Sequence, residues 1–165
     1  MSDRSVRAGM NHVGVCVGDI DAAVAWYTEV LGLLLLDGPM DCDTTTAGAS
    51  RRKEVFGERW ASMRLAHLLT ANSCGLELFQ FIEPRAFRPS ENFEYEKFGP
   101  NHLAFTVADF DAAHARIIAS GGRARTAVHD VNDNTLICYC EDPWGNVIEI
   151  VSRPYAELSV ATTKP

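Results

Sequence analysis

The sequence predicts an α+β fold built from two related modules, and three observations carry that prediction. First, residues 11–23 (NHVGVCVGDIDAA) recur as residues 101–113 (NHLAFTVADFDAA), an offset of 101 − 11 = 90 positions. Asn11/Asn101, His12/His102, Val17/Val107, Asp19/Asp109, Asp21/Asp111, Ala22/Ala112 and Ala23/Ala113 are identical pairs. Second, each copy passes from strand-like alternation into apolar residues at helical spacing that ends in glycine. Third, each half continues into two or three apolar strands, the last with a single glutamate inside it. A repeat this long is a duplicated module rather than a solenoid unit, whose period is about 20–50 residues.

In the first module, HVGVCVGD reads as a strand over 11–18 that breaks at Gly-Asp. The next segment sets Ile20, Ala23, Val24, Tyr27 and Leu31 on one helical face, with Asp19 or Asp21 as cap and Gly32 as a left-handed stop. LLLLD predicts a strand stopped by Gly38-Pro39. Residues 40–58 are polar, a long connection with a short helix near its end, and connections of this length often serve as lids or binding loops. WASMRLAHLLT and CGLELFQFIE then predict two strands turning at Asn72-Ser73. The first module spans about residues 10–83.

Residues 84–100 contain three prolines and little apolar periodicity, which marks a linker. The second module, about 101–153, repeats the order. Its helix turns Phe110, Ala113 and Ile117 inward and stops at Gly121-Gly122. A strand is expected near 123–129, and TLICYC and NVIEIVS flank the turn DPWGN. The tail 154–165 carries weak signals and reads as loose.

Composition narrows the function classes. The 165 residues are 47% hydrophobic and 22% charged, which suits one compact domain or two small modules. A net charge of −7 opposes nucleic-acid binding, which needs clustered Lys and Arg. Arg51-Arg52-Lys53 reads as a solvated helix face, and Arg59, Arg64, Arg85 and Arg88 as surface residues. The start MSDRSVRAGM lacks the apolar core of a signal peptide, and no apolar run reaches the ~18 residues of a membrane span. Five cysteines without a CxxC pair argue against a disulfide framework and for a reducing cytoplasm. Cys138 and Cys140 could chelate metal, but read more simply as buried strand thiols.

Strand alternation picks out the candidate site. His12, Gly14 and Cys16 share one face, opposite Val13, Val15 and Val17. Glu77, Phe79 and Phe81 oppose Leu76 and Leu78; His102, Ala104 and Thr106 oppose Leu103, Phe105 and Val107; Glu149 opposes Ile148 and Ile150. Four times, a bulky aliphatic face suits packing under a helix while the other face carries one His or Glu. A carboxylate in an apolar strand is expensive to bury unless a cation compensates it. His12, Glu77, His102 and Glu149 are therefore candidate ligands of one divalent metal ion. An imidazole and carboxylate set without thiolates suits Zn, Ni, Co, Mn or Fe with open positions for water. His67, His114 and His129 lack this pairing and read as structural or surface residues.

These segments resemble the vicinal oxygen chelate superfamily, which includes glyoxalase I, methylmalonyl-CoA epimerases, extradiol dioxygenases and bleomycin resistance proteins. The resemblance rests on residues 12–33, 75–81, 101–113 and 141–152 and covers most of 10–153. It implies two βαβββ modules forming a curved mixed β-sheet cup with helices outside. It also implies that His12, Glu77, His102 and Glu149 are the metal ligands, and the full His, Glu, His, Glu set is most similar to glyoxalase I-like members. The implied reaction is isomerase or lyase chemistry by proton transfer, on a small molecule that chelates the metal through neighbouring oxygens. Glu149 or Glu77 would be the base, Glu149 the favoured one, with Cys16, Phe79, Phe81 and Thr106 around the substrate. The alternatives are a metal-free protein sequestering an aromatic natural product and an Fe(II) extradiol-type dioxygenase. A homodimer is expected, since modules of this type pair within or between chains.

Overall fold

The computed structural model describes residues 8–91, 94, 96–131 and 134–161. The N-terminal segment before residue 8 and the last four residues of the tail lie outside them. The fold is α+β, and the chain divides into two compact units with the boundary between Ala86 and Phe87.

The first unit contains β1 (His12–Cys16), α1 (Ile20–Leu31), β2 (Leu34–Asp43), α2 (Ala49–Phe56), β3 (Ser62–Leu69) and β4 (Gly75–Glu83). Its four-stranded sheet has the order β1-β4-β3-β2, with β1 parallel to β4 and the other pairs antiparallel. The second unit contains β5 (Leu103–Thr106), α3 (Phe110–Ala119), β6 (Arg123–Ala124), β7 (His129–Val131), β8 (Thr135–Glu141), β9 (Val147–Val151) and α4 (Tyr155–Ala161). Its sheet runs β5-β9-β8-β6, with β7 also pairing β8. Here too the first strand is parallel to the last, β5 to β9.

The repeated DxDAA sequences act as helix starts. The side chain of Asp19 accepts from the backbone N of Ala22 at 3.1 Å, and that of Asp109 from Ala112 at 2.9 Å. Both caps sit in extended backbone, so each satisfies a donor that the first helical turn leaves open. Asp19→Ala or Asp109→Ala should each lower unfolding free energy by about 1 kcal/mol in urea titrations. Gly32 stops α1 at φ 71, as the sequence predicts. The inward face of α3 is Phe110, Ala113 and Ile117. That of α1 is broader than expected: Trp26 and Val30 join Ile20, Ala23 and Tyr27, while Val24 and Leu31 are half-buried. The aliphatic faces of the sheets are buried, with Leu76, Leu78, Ile148 and Ile150 at most 2% exposed.

Four expectations need correction. Gly38-Pro39 does not end a strand: β2 runs on to Asp43, with its register shifting on both sides of Asp37. An edge strand tolerates the missing proline donor, and β2 is an edge. Gly38, at φ 90, lies so close to β3 that an added Cβ would be 2.6 Å from the Leu65 carbonyl oxygen. Second, residues 40–58 are mostly ordered structure, because β2 and α2 occupy them. Asp43 closes the turn between these elements by accepting from Thr45 and Thr46, and hydrogen bonds from Thr45 hold its carboxyl below the usual range. Third, the strand expected near 123–129 is two short pieces, β6 and β7. Fourth, Pro154 opens a helix instead of a loose tail: α4 starts at Tyr155, and the Pro154 carbonyl accepts from Glu157 N at 2.9 Å.

Candidate functional site

In the first unit, β1 and β4 lie side by side in parallel, with Gly14 opposite Glu77. His12, at the start of β1, places Nε2 3.6 Å from Glu77 Oε2. Its Nδ1 lies 2.7 Å from Asn11 Oδ1. With Nδ1–H donating to that oxygen, Nε2 is the ring nitrogen left to bind a ligand on the side of the carboxylate.

The second unit repeats this arrangement. Ala104 stands opposite Glu149 in the β5·β9 pair. His102 Nε2 is 3.1 Å from Glu149 Oε2, and His102 Nδ1 is 3.1 Å from Asn101 Oδ1. The recurring Asn-His dipeptide thus has a physical role: the asparagine fixes the tautomer and aim of the imidazole, as groups behind metal-bound histidines do. Nitrogen and oxygen ligands about 2.0–2.2 Å from one ion lie about 2.9–3.5 Å apart in octahedral or tetrahedral geometry. The two His–Glu separations fit that range within about 0.2 Å, so in each unit the pair suits a divalent cation.

The units differ in what faces the glutamate from the next strand. Register puts His67 opposite Glu77 and Tyr139 opposite Glu149. His67 Nδ1 lies 3.3 Å from Glu77 Oε1, so both oxygens of Glu77 have an imidazole beside them. Tyr139 meets His102 edge to face at 4.9 Å between ring centroids. Among the described residues Glu149 has one imidazole beside it, that of His102, where Glu77 has two, and the Glu149 side chain is the more buried, 13% exposed against 24% for Glu77. The sequence alone predicts a structural or surface role for His67. Only the β3·β4 register reveals its contact.

The expected pocket residues fall into two groups. Phe79 and Phe81 do share the Glu77 side of β4, but Phe56 of α2 packs on both, at 5.6 and 5.3 Å between centroids. They flank a core cluster of Cys42, Trp60 and Met63. Gly14 lets the Phe79 ring lie across β1, since an added Cβ would be 2.7 Å from Phe79 Cε2. Cys16 and Thr106 lie on the exposed edges β1 and β5. Partial burial raises the Cys16 thiol above its usual pKa.

The EDPWGN stretch is the anchor of the second sheet. Asp142 accepts from the backbone N of Trp144 and Asn146, and Gly145 supplies the left-handed residue at φ 93. Glu141, 1% exposed, accepts from Arg88, Arg123 and Arg125 at 2.7–2.9 Å. Burial alone would raise its carboxyl, but the Arg123 hydrogen bonds and the charges of the three arginines outweigh this and hold it below the usual range. Arg88 is therefore not a free surface residue, and neither is Arg64, which pairs with Asp21 and Asp41.

Two modules, each with an imidazole and a carboxylate beside each other on adjacent parallel strands, define a duplicated α+β class of fold. The chain belongs to the Glyoxalase/Bleomycin resistance protein/Dioxygenase superfamily, whose family pattern matches residues 9–150. It is 30% identical over 151 residues to a 2-epi-5-epi-valiolone epimerase from Actinomyces sp, covering 88% of this chain and 79% of that protein. It is 25% identical over 144 residues to the Escherichia coli protein YaeR, covering 87% of this chain and 95% of the relative. A glyoxalase family protein from Bacillus cereus has a similar fold, with a TM-score of 0.73 at 22% identity over 92% of this chain and 97% of its own. Glyoxalase I from Zea mays gives 0.59 at 22% identity over 87% of this chain and 44% of its own. Among the described residues, no helix is long and apolar enough to cross a membrane.

Proposed function

We propose that this protein is a divalent-metal-dependent isomerase that moves a proton beside a carbonyl in a substrate chelating the metal through neighbouring oxygens. The observation that carries the reading is the repeated Asn–His–Glu arrangement, Asn11–His12–Glu77 and Asn101–His102–Glu149. His12, Glu77, His102 and Glu149 are the proposed ligands, as the sequence repeat implies. A bound divalent cation would polarise the carbonyl and stabilise the negative charge left when the neighbouring carbon loses its proton.

The chain's own residues do the rest. Asn11 and Asn101 aim the imidazoles. Glu149 takes the proton, since this more buried carboxylate has one imidazole beside it where Glu77 has two, and then returns it. Return to the neighbouring carbon isomerises the substrate, whereas inversion of the same carbon takes its proton from a second acid on the opposite face. The name of the Actinomyces relative denotes a ketone and a change of configuration. It favours a polyhydroxylated ketone as substrate over a glutathione hemithioacetal. We further propose a homodimer, which sedimentation would read directly.

The test is proton exchange. Protein loaded with Ni, Co, Zn, Mn or Fe(II) is incubated in deuterated water with 2-epi-5-epi-valiolone and, separately, with methylglyoxal plus glutathione. Deuterium entering the carbon next to the carbonyl, abolished by a chelator and restored by metal, is the expected result. Absence of metal binding would sink the proposal. Oxygen uptake without exchange would move the reading to a dioxygenase, and ligand binding that survives chelation without turnover to a sequestering protein.

A further inference from the structure

We propose that His114, Cys138 and Cys140 form a second metal site, selective for Zn²⁺, on the side of the second sheet opposite His102 and Glu149. Among the described residues, these three offer donor atoms that all lie within 4.8 Å of one another. Two separate elements supply them: His114 from α3, and the cysteines from one face of β8. Alternation along the strands separates the two sites. Cys138 and Cys140 share the side of Ile148 and Ile150, under the helix, while Tyr139 and Glu149 turn the other way.

The spacing is that of ligands and not of a bond. Cys138 Sγ and Cys140 Sγ are 3.7 Å apart. Two thiolates bound to one tetrahedral zinc at about 2.3 Å each lie about 3.8 Å apart, so the sulfurs already have the required separation. A disulfide would need about 2.05 Å. The Phe110 ring is near parallel to the His114 imidazole, with centroids 6.4 Å apart. Both cysteines are fully buried, whereas His114 is half-exposed and forms the solvent side of the cluster. A cation would enter there, leaving its fourth position to a water.

The donor chemistry separates this site from the His–Glu pairs. Two sulfurs and one nitrogen favour Zn²⁺ over the harder Mn²⁺ and Mg²⁺. Cys138 Sγ lies 3.5 Å from the Thr126 carbonyl oxygen and 3.6 Å from that of Tyr139 and accepts from Thr126 Oγ1 at 3.9 Å, while Cys140 Sγ contacts Cys138 Sγ. Zn²⁺ would displace one proton from each thiol to solvent as the two Zn–S bonds form, so its affinity should rise with pH.

Co²⁺ is the probe, because cobalt–thiolate bonds give intense near-ultraviolet charge-transfer bands that imidazole and carboxylate ligands do not. Reduced, metal-free, full-length protein is titrated with Co²⁺, and Zn²⁺ is then added to displace it. The expected result is a thiolate band that saturates at about one equivalent of site-bound cobalt and is bleached by Zn²⁺. The band should disappear in Cys138→Ser and Cys140→Ser and persist in Glu149→Gln. His114→Gln should weaken Co²⁺ at least about tenfold, since even groups behind a ligand are worth that much. Absence of the band in the wild-type protein would overturn the proposal even if the serine variants fail to fold. So would a band that survives in both serine variants, or an affinity unchanged in His114→Gln.

Discussion

Glu149→Gln is expected to lower metal-dependent deuterium exchange into a chelating ketone by about 10²- to 10⁴-fold, the usual contribution of a positioned general base. Glutamine keeps the size of the side chain and an amide that can face His102 Nε2, so the second sheet should fold as before. What it removes is the carboxylate charge and its capacity to take a proton. Glu77→Gln should behave differently. Glu77 has His12 beside one oxygen and His67 beside the other, so its loss should chiefly weaken metal binding. Exchange rates measured against metal concentration separate the two: the Glu77 variant should recover at high metal, and the Glu149 variant should not. An active Glu149→Gln protein would reject Glu149 as the base.

What the sequence disclosed depended on how local the cause was. His12, His102, Glu77 and Glu149 stood out because strand alternation is a two-residue rule and the duplication displayed it twice. The Asp19 and Asp109 caps are equally local, each reaching three residues along the chain. The continuation of β2 through Gly38-Pro39 was hidden because only an edge strand tolerates it, and edge position is a property of the whole sheet. His67 reaches Glu77 through strand pairing, and no spacing in the sequence encodes that register. The Cys138–Cys140 pair was visible, but its third member required α3 to lie over β8. Arg88 resembled any surface arginine until the fold set it beside Glu141, 53 positions away.

That last contact leads to the largest expected effect on stability. Glu141→Gln should lower unfolding free energy at neutral pH by about 3 kcal/mol, because removing one partner of a buried ion pair leaves charges without compensation. The local geometry supports a value near that size. Both oxygens of a carboxylate only 1% exposed accept two hydrogen bonds each, and Arg125, with a side chain 17% exposed, cannot simply swing into water. Arg123 and Arg88 are more exposed and can rehydrate, which limits the loss. The effect should also depend on pH, with a sign set by the lowered folded-state pKa of Glu141. A depressed carboxyl contributes stability above its unfolded value near 4.5, and that contribution fades as pH falls towards the folded value. Urea midpoints should therefore differ most between wild type and Glu141→Gln at neutral pH and converge in acid. A gap that stays constant from neutral pH to about pH 3 would show that the variant acts through packing and not through the carboxylate charge. The network also ties Arg88, the second residue of the second unit, to the start of the DPWGN turn. Proteolysis near residues 87–91 should therefore accelerate in Glu141→Gln before global unfolding begins, because local opening follows the contacts that hold a segment down.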